Sequence, residues 1–118
     1  MNLKEIKNLI ENNPVAFSTI TQENKPNVIG VVCVRVISEN QVLITDNYMS
    51  QTVKDILNNK NVCLAVWNKE LKGCKLIGEA EYHTDGEWKN FVERMSENKG
   101  LPAKGAILVK ISKIIESK

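Results

Sequence analysis

Between Asn27 and Asp55 the chain reads NVIGVVCVRVISENQVLITDNYMSQTVKD: two apolar runs separated by a polar turn, then a second polar turn that opens into a helix. That order constrains the fold more than any other stretch. Val28 to Ile37 is apolar at nearly every position, which predicts a strand buried on both faces rather than one with a wet side. Its one charge is Arg35. An unpaired guanidinium inside such a strand would cost on the order of several kcal/mol, so Arg35 must reach the strand end or meet a fixed partner. Val42 to Thr45 forms the next strand and delivers the chain into Asp46, Asn47, Tyr48, Met49 and Ser50, after which Gln51 to Asn59 reads as helix. With Ser50 as the expected N-cap, the free first-turn amides and the positive end of the helix dipole suit an anion.

The flanking sequence fits a β-rich domain. Leu3, Ile6, Leu9 and Ile10 recur at helical spacing until Asn12, Asn13 and Pro14 stop them, and their stripe is expected to cover one end of a barrel. Val15 to Thr21 is strand-like, and Gln22 to Pro26 has the composition of a hairpin loop. Further strands are expected at Val62 to Trp67, Cys74 to Thr84 and Gly105 to Ile115. Glu79, Glu81 and His83 alternate on one face of the second of these, which argues for one wet side. A third helix is expected from Gly86 to Asn98, with Trp88, Phe91, Val92 and Met95 as its apolar stripe. The prediction is mainly β with short helices: a six-stranded antiparallel split β-barrel of Greek-key type.

At 118 residues the chain is expected to form one domain, 1–118, and a chain of this size buries about two-thirds of its unfolded surface. Sixteen Lys and Arg against 14 Asp and Glu leave a formal charge of +2, too weak and dispersed for a nucleic-acid footprint. Cys33, Cys63 and Cys74 form an odd set with no C-x-x-C pair and read as reduced, packed thiols, consistent with a cytoplasmic protein. No apolar run approaches the roughly 20 residues of a membrane span, and the N-terminal residues read as an amphipathic helix rather than a signal peptide. The apolar outer faces, left in water, would form patches larger than a soluble monomer usually carries, so a homodimer is expected.

The order short helix, strand, strand, TDNYMSQT turn, helix and strand resembles the FMN-binding split barrels, the group that contains pyridoxamine-phosphate oxidase and small bacterial FMN-binding proteins. The resemblance spans roughly residues 3 to 115, and its motif-grade part runs from Gly30 to Thr52. It implies FMN as cofactor, lying between the subunits of a homodimer, and a small flavin-dependent oxidoreductase or electron-transfer protein. The implied flavin contacts are Gly30, Val31, Val32, Cys33, Val34 and Arg35 on the strand, and Thr45, Asp46, Ser50, Gln51 and Thr52 around the turn. Trp67, at a strand end, is an added candidate wall. In the oxidase branch a similar turn carries Ser-Arg-Lys; here it is Ser50, Gln51 and Thr52. Arg35 therefore matches one cation and two have no counterpart, so phosphate is expected to be held less tightly and oxidase activity itself is not expected.

Each of these residues also has a plainer use. Gly30 suits a bulge in a dimer-core strand, Arg35 a snorkelling edge residue, and Ser50, Asn47 and Asp46 are ordinary turn residues. Asp46 is an awkward neighbour for a phosphate and would sooner accept from a flavin ring N–H or a ribityl hydroxyl. His83, the sole histidine, reads as surface, which leaves no metal cluster or hydrolytic triad to build. No side chain stands out as a catalytic acid or base. Three alternatives remain open: a non-catalytic flavin carrier or sensor, the same barrel holding deazaflavin or haem, and an OB-like barrel on single-stranded nucleic acid. The last lacks stacking aromatics on a basic groove.

Overall fold

Seven strands form the sheet, not six, because the long apolar run is interrupted. The computed structural model describes residues 2–117. A 3-10 turn (Leu3–Ile6) and α1 (Lys7–Glu11) precede the hairpin of β1 (Val15–Ile20) and β2 (Pro26–Val31). The hairpin of β3 (Val34–Ser38) and β4 (Gln41–Asp46) follows, then α2 (Gln51–Asn58), β5 (Asn61–Trp67) and β6 (Gly73–His83). α3 (Gly86–Arg94), a second 3-10 turn (Ser96–Asn98) and β7 (Gly105–Ser117) complete the chain's described elements. The third helix stops short of Asn98 because Met95 is extended, with ψ 128°.

All pairings are antiparallel, in the order β2-β1-β5-β6-β7-β4-β3. β4 lies beside β7 rather than β5, which is the Greek-key arrangement. The two outermost strands, β2 and β3, are consecutive in sequence. The sheet must therefore curl until its edges meet, and Val32 and Cys33 join them covalently. Facing positions explain the interruption. Val31 points inward before it, and Val34 and Val36 point inward after it, so the inward phase shifts from odd to even residues. One regular strand with a period of two cannot do this.

The barrel interior holds Phe17, Leu64, Leu76, Ile107 and Val109, closed in part by Leu3 and Ile10 from the N-terminal helical segment and by Ile56 of α2. The backbone N–H of Leu3 donates to Glu39 O at 2.9 Å, and the N–H of Val36 to Glu11 Oε2 at 2.8 Å, which fixes that segment over β3. A second, smaller core lies outside the barrel, where Leu43 and Leu108 meet Val92 and Ala103, with Trp88 and Met95 packed against them. Burial on both faces thus belongs to β4, buried from Val42 to Asp46, and not to the preceding run. In β2 and the crossover, Val28 is 63% and Val32 73% exposed. Leu57 of α2 is exposed as well.

Ile10 is 1% exposed within the barrel core. Replacing it with Ala should cost about 2–5 kcal/mol, because the rigid strand ends around it can collapse only partly. A urea titration of the two proteins checks this.

Candidate ligand cleft

The turn after β4 is shaped from inside. Asp46 is fully buried, its Oδ1 accepting the Met49 backbone N–H at 2.8 Å and its Oδ2 the Tyr82 hydroxyl at 2.5 Å. Lys104 donates to Met49 O at 2.7 Å and stands 4.0 Å from Asp46 Oδ1. The Tyr82 ring occupies the space where a Cβ at residue 105 would lie, so Gly105, the cross-strand partner of Asp46, lets the phenol reach the carboxylate. Burial pushes the Tyr82 phenol well above its ordinary value, and the hydrogen bond and charge of Asp46 add to the shift. Asp46 therefore serves the turn, and its oxygens are not turned toward a ligand.

The next residue ties the turn to a distant loop. Asn47 and Asn98 exchange amide hydrogen bonds at 2.7 and 3.1 Å, and Asn47 Oδ1 also accepts the Ala103 N–H at 2.9 Å. Residues 96–103 are thereby strapped beside the turn. At the start of α2, Ser50 occupies the N-cap position but makes no side-chain capping bond, contrary to the sequence expectation. First-turn amides are left without that acceptor. The side chains of Gln51 and Thr52 are engaged within the protein. Gln51 Nε2 donates to Asp55 Oδ1 at 2.7 Å, Thr19 Oγ1 donates to Asp55 Oδ2 at 2.7 Å, and Asn27 Nδ2 donates to Thr52 Oγ1 at 3.4 Å. Two neutral donors satisfy Asp55, a fully buried carboxylate.

These elements surround a cleft of about 520 Å³, within the range of small-molecule sites. Ile29, Gly30, Val31, Val32 and Cys33 line one wall, Thr45 and the turn from Asn47 to Thr52 line the base, and Glu97 and Leu101 lie opposite. Of the residues singled out from sequence, Gly30, Val31, Val32, Cys33, Thr45, Ser50, Gln51 and Thr52 come together here. Four do not line it. Val34 points into the barrel core, Asp46 lies beneath the turn, and Trp67 ends β5 half-exposed, beside Gly73. Arg35 finds the fixed partner its burial demands in Glu97, which places it behind the cleft's edge. Gly30 sits in a continuous β1–β2 register, so it marks no bulge, and a Cβ there would meet nothing within 4 Å.

Sequence reading passed over Asn27, Ile29, Asn47, Met49, Glu97 and Leu101 as lining residues. The first four lie inside the Asn27 to Asp55 stretch and follow from strand and turn position, whereas Glu97 and Leu101 arrive through long-range packing. Elsewhere, burial and then Glu116 raise the Cys74 thiol pKa, which disfavours a reactive thiolate. His83 lies at the surface with Nε2 3.4 Å from Glu81 Oε1. No helix among the described residues is long and apolar enough to cross a membrane.

Barrel, seam and cleft together define a split-barrel protein with an open cleft at the seam. Residues 3–118 match the pyridoxamine 5'-phosphate oxidase family, and the chain belongs to it. It is 32% identical, over 98% of its length and 80% of the relative's, to an uncharacterised protein of Methanocaldococcus jannaschii. The fold is similar to that of the Group A Streptococcus protein HupZ, with a TM-score of 0.90 at 22% identity over 98% of this chain and 94% of the other. An FMN-binding protein from Syntrophomonas wolfei gives 0.82 at 18% identity, covering 98% and 86% of the two chains. An F420 reductase gives 0.71 at 15%, covering 92% and 94%.

Tyr82→Phe leaves Asp46 with one hydrogen bond fewer in a buried site and should cost about 1–3 kcal/mol. The folded state holds the phenol proton above its ordinary value of 10.0, so the unfolded chain releases it first. The stability from this contact is present below about pH 10 and is lost as pH rises beyond it. Urea midpoints measured across that range should fall more steeply for the wild type than for Tyr82→Phe.

Proposed function

We propose that this cleft holds FMN and that the protein works as a small flavin-dependent oxidoreductase or electron-transfer protein. The observation that carries the reading is the uncapped start of α2 at the base of a cleft whose other wall is apolar. Membership of the family and the likeness to a protein described as FMN-binding support it.

The residues present fit such a group. Backbone amides of the first turn of α2 and the Ser50 hydroxyl would take the phosphate, since helix starts present N–H groups and a favourable dipole to anions. Ile29, Val31 and Val32 offer apolar contact to a ring, and Gly30 leaves room for it. Bound FMN supplies the electron chemistry; the chain binds it, orients it and limits water around it. No side chain in the cleft is assigned a proton-transfer step.

The reading extends to a homodimer. On the outer face of the sheet, Gly30, Ala16 and Ala65 form one cross-strand row, and Val28, Ser18 and Cys63 form the next. Across β2, β1 and β5 neither row carries a charge. Exposed Val28 and Val32 flank the cleft, so a second copy packed on this face would cover them and close the cleft's open side.

An absorption spectrum of the freshly purified protein, followed by fluorescence titration with FMN, tests the cofactor. A flavin spectrum or FMN binding is expected; deazaflavin or haem bands would replace the reading. Gly30→Leu should block FMN while leaving the unfolding free energy of the single chain within about 0.5 kcal/mol of wild type, because the new Cβ meets no other atom of its own chain within 4 Å. Turnover with a reduced nicotinamide separates an enzyme from a carrier or sensor.

For the dimer, sedimentation at micromolar concentration should give twice the 13.3 kDa chain mass. Ala65→Glu, which puts a charge among these uncharged positions, should give a single-chain species. A wild type that sediments only as a monomer would remove the dimer from the reading.

A further inference from the structure

Glu97 is the one carboxylate that lines the cleft among its described residues, and it holds the guanidinium of Arg35. Its position is fixed from behind. Asn98, 2% exposed, is clamped by Asn47, and the backbone N–H of Leu101 donates to Asn98 O at 3.1 Å, so the strap carrying Glu97 is anchored to the same turn that forms the cleft's base. Arg35 is 25% exposed and Glu97 45%, which leaves the pair beside solvent rather than locked in a core. Along the extended chain Arg35 stands two residues past Cys33, about 7 Å, and Cys33 lines the cleft. A turn of the arginine side chain spans that distance.

From this arrangement we infer that Glu97 competes with the anionic end of the cleft's ligand for Arg35, holding the guanidinium away from it and so setting how strongly the site prefers a phosphorylated ligand over its unphosphorylated form. The inference rests on the FMN reading and deepens it. The argument is one of exchange. A charge-assisted contact between Arg35 and a phosphate has to replace an equivalent contact with Glu97, so its net contribution is small while Glu97 is charged. The cleft's lining residues include no side-chain cation to make up the difference. Glu97 also places a negative charge beside the ligand, and the test has to separate that general repulsion from an effect routed through Arg35.

The experiment compares FMN with riboflavin, which keeps the ring and loses the phosphate, on wild type, Glu97→Gln, Arg35→Gln and the double variant, with circular dichroism to confirm that each is folded. Glu97→Gln should tighten FMN on the order of tenfold, the size of one released charge-assisted contact, and leave riboflavin unchanged. In the Arg35→Gln background the same Glu97 substitution should change FMN affinity little, because there is no cation left to release. Glu97→Ala, which removes the amide as well, should repeat the Glu97→Gln result. A gain that persists without Arg35 makes Glu97 a general repulsive charge and overturns the inference, as does equal tightening of FMN and riboflavin or none at all. A wild type that binds neither flavin overturns the cofactor reading first, and is distinguished by having no affinity to compare.

Discussion

Two residues, Val32 and Cys33, join the outermost strands of a seven-stranded sheet, and the rest of the architecture follows from that short covalent tie. A sheet whose first and last strands are two residues apart must bend through a full circuit, which sets one face inward as a core. The same tie leaves a gap, because β2 and β3 make no ladder with each other; the bond from the Thr45 N–H to Cys33 O at 3.4 Å only carries the β3–β4 pairing one step past Val34. The cleft lies along that gap. Its wall is the backbone of the crossover, and its base is the turn that follows the strand paired with β3.

The sequence disclosed the elements better than their phase. Alternation of Glu79, Glu81 and His83 placed β6 with one wet side, as observed, because polar residues mark which way each position points. The run from Val28 to Ile37 offered no such mark: a uniformly apolar stretch reads the same whether or not its facing shifts midway, so the break at Val32 and Cys33 was invisible and a strand was lost from the count. Double burial was assigned to this run for the same reason. It falls instead on β4, since α3 returns from far along the chain to cover that strand's outer side. Most of the cleft wall and turn were legible in the local order of residues. Glu97 and Leu101 were not, because they are brought in by the Asn47–Asn98 pair across 51 positions.

The polar groups expected to reach outward are largely turned to internal uses. Asp46 and Asp55 are both fully buried, and Tyr82, Thr19 and Gln51 spend donors on them. An unsatisfied carboxylate at such depth would be far costlier than a lost surface contact, so these bonds take precedence over any ligand. What the base of the cleft keeps in reserve is main chain, at the start of α2. On the proposed reading, recognition would fall to the backbone, since Ser50, Gln51 and Thr52 carry no basic side chain.

The unladdered seam also bears on motion. Edge strands open at lower free energy than central ones because fewer hydrogen bonds and neighbours hold them, and here the edge strand β2 and the crossover that follows it line the cleft. Local breathing of the barrel is thus concentrated beside the cleft, while β5, β6 and β7, paired on both sides, stay closed. Amide protons on the unpaired edge of β2 would exchange with solvent ahead of the rest of the sheet, whereas β3 has its Val36 N–H held by Glu11. Anything bound in the cleft would tie β2 to the turn after β4, standing in for a missing rung and coupling occupancy of the site to the opening of that edge.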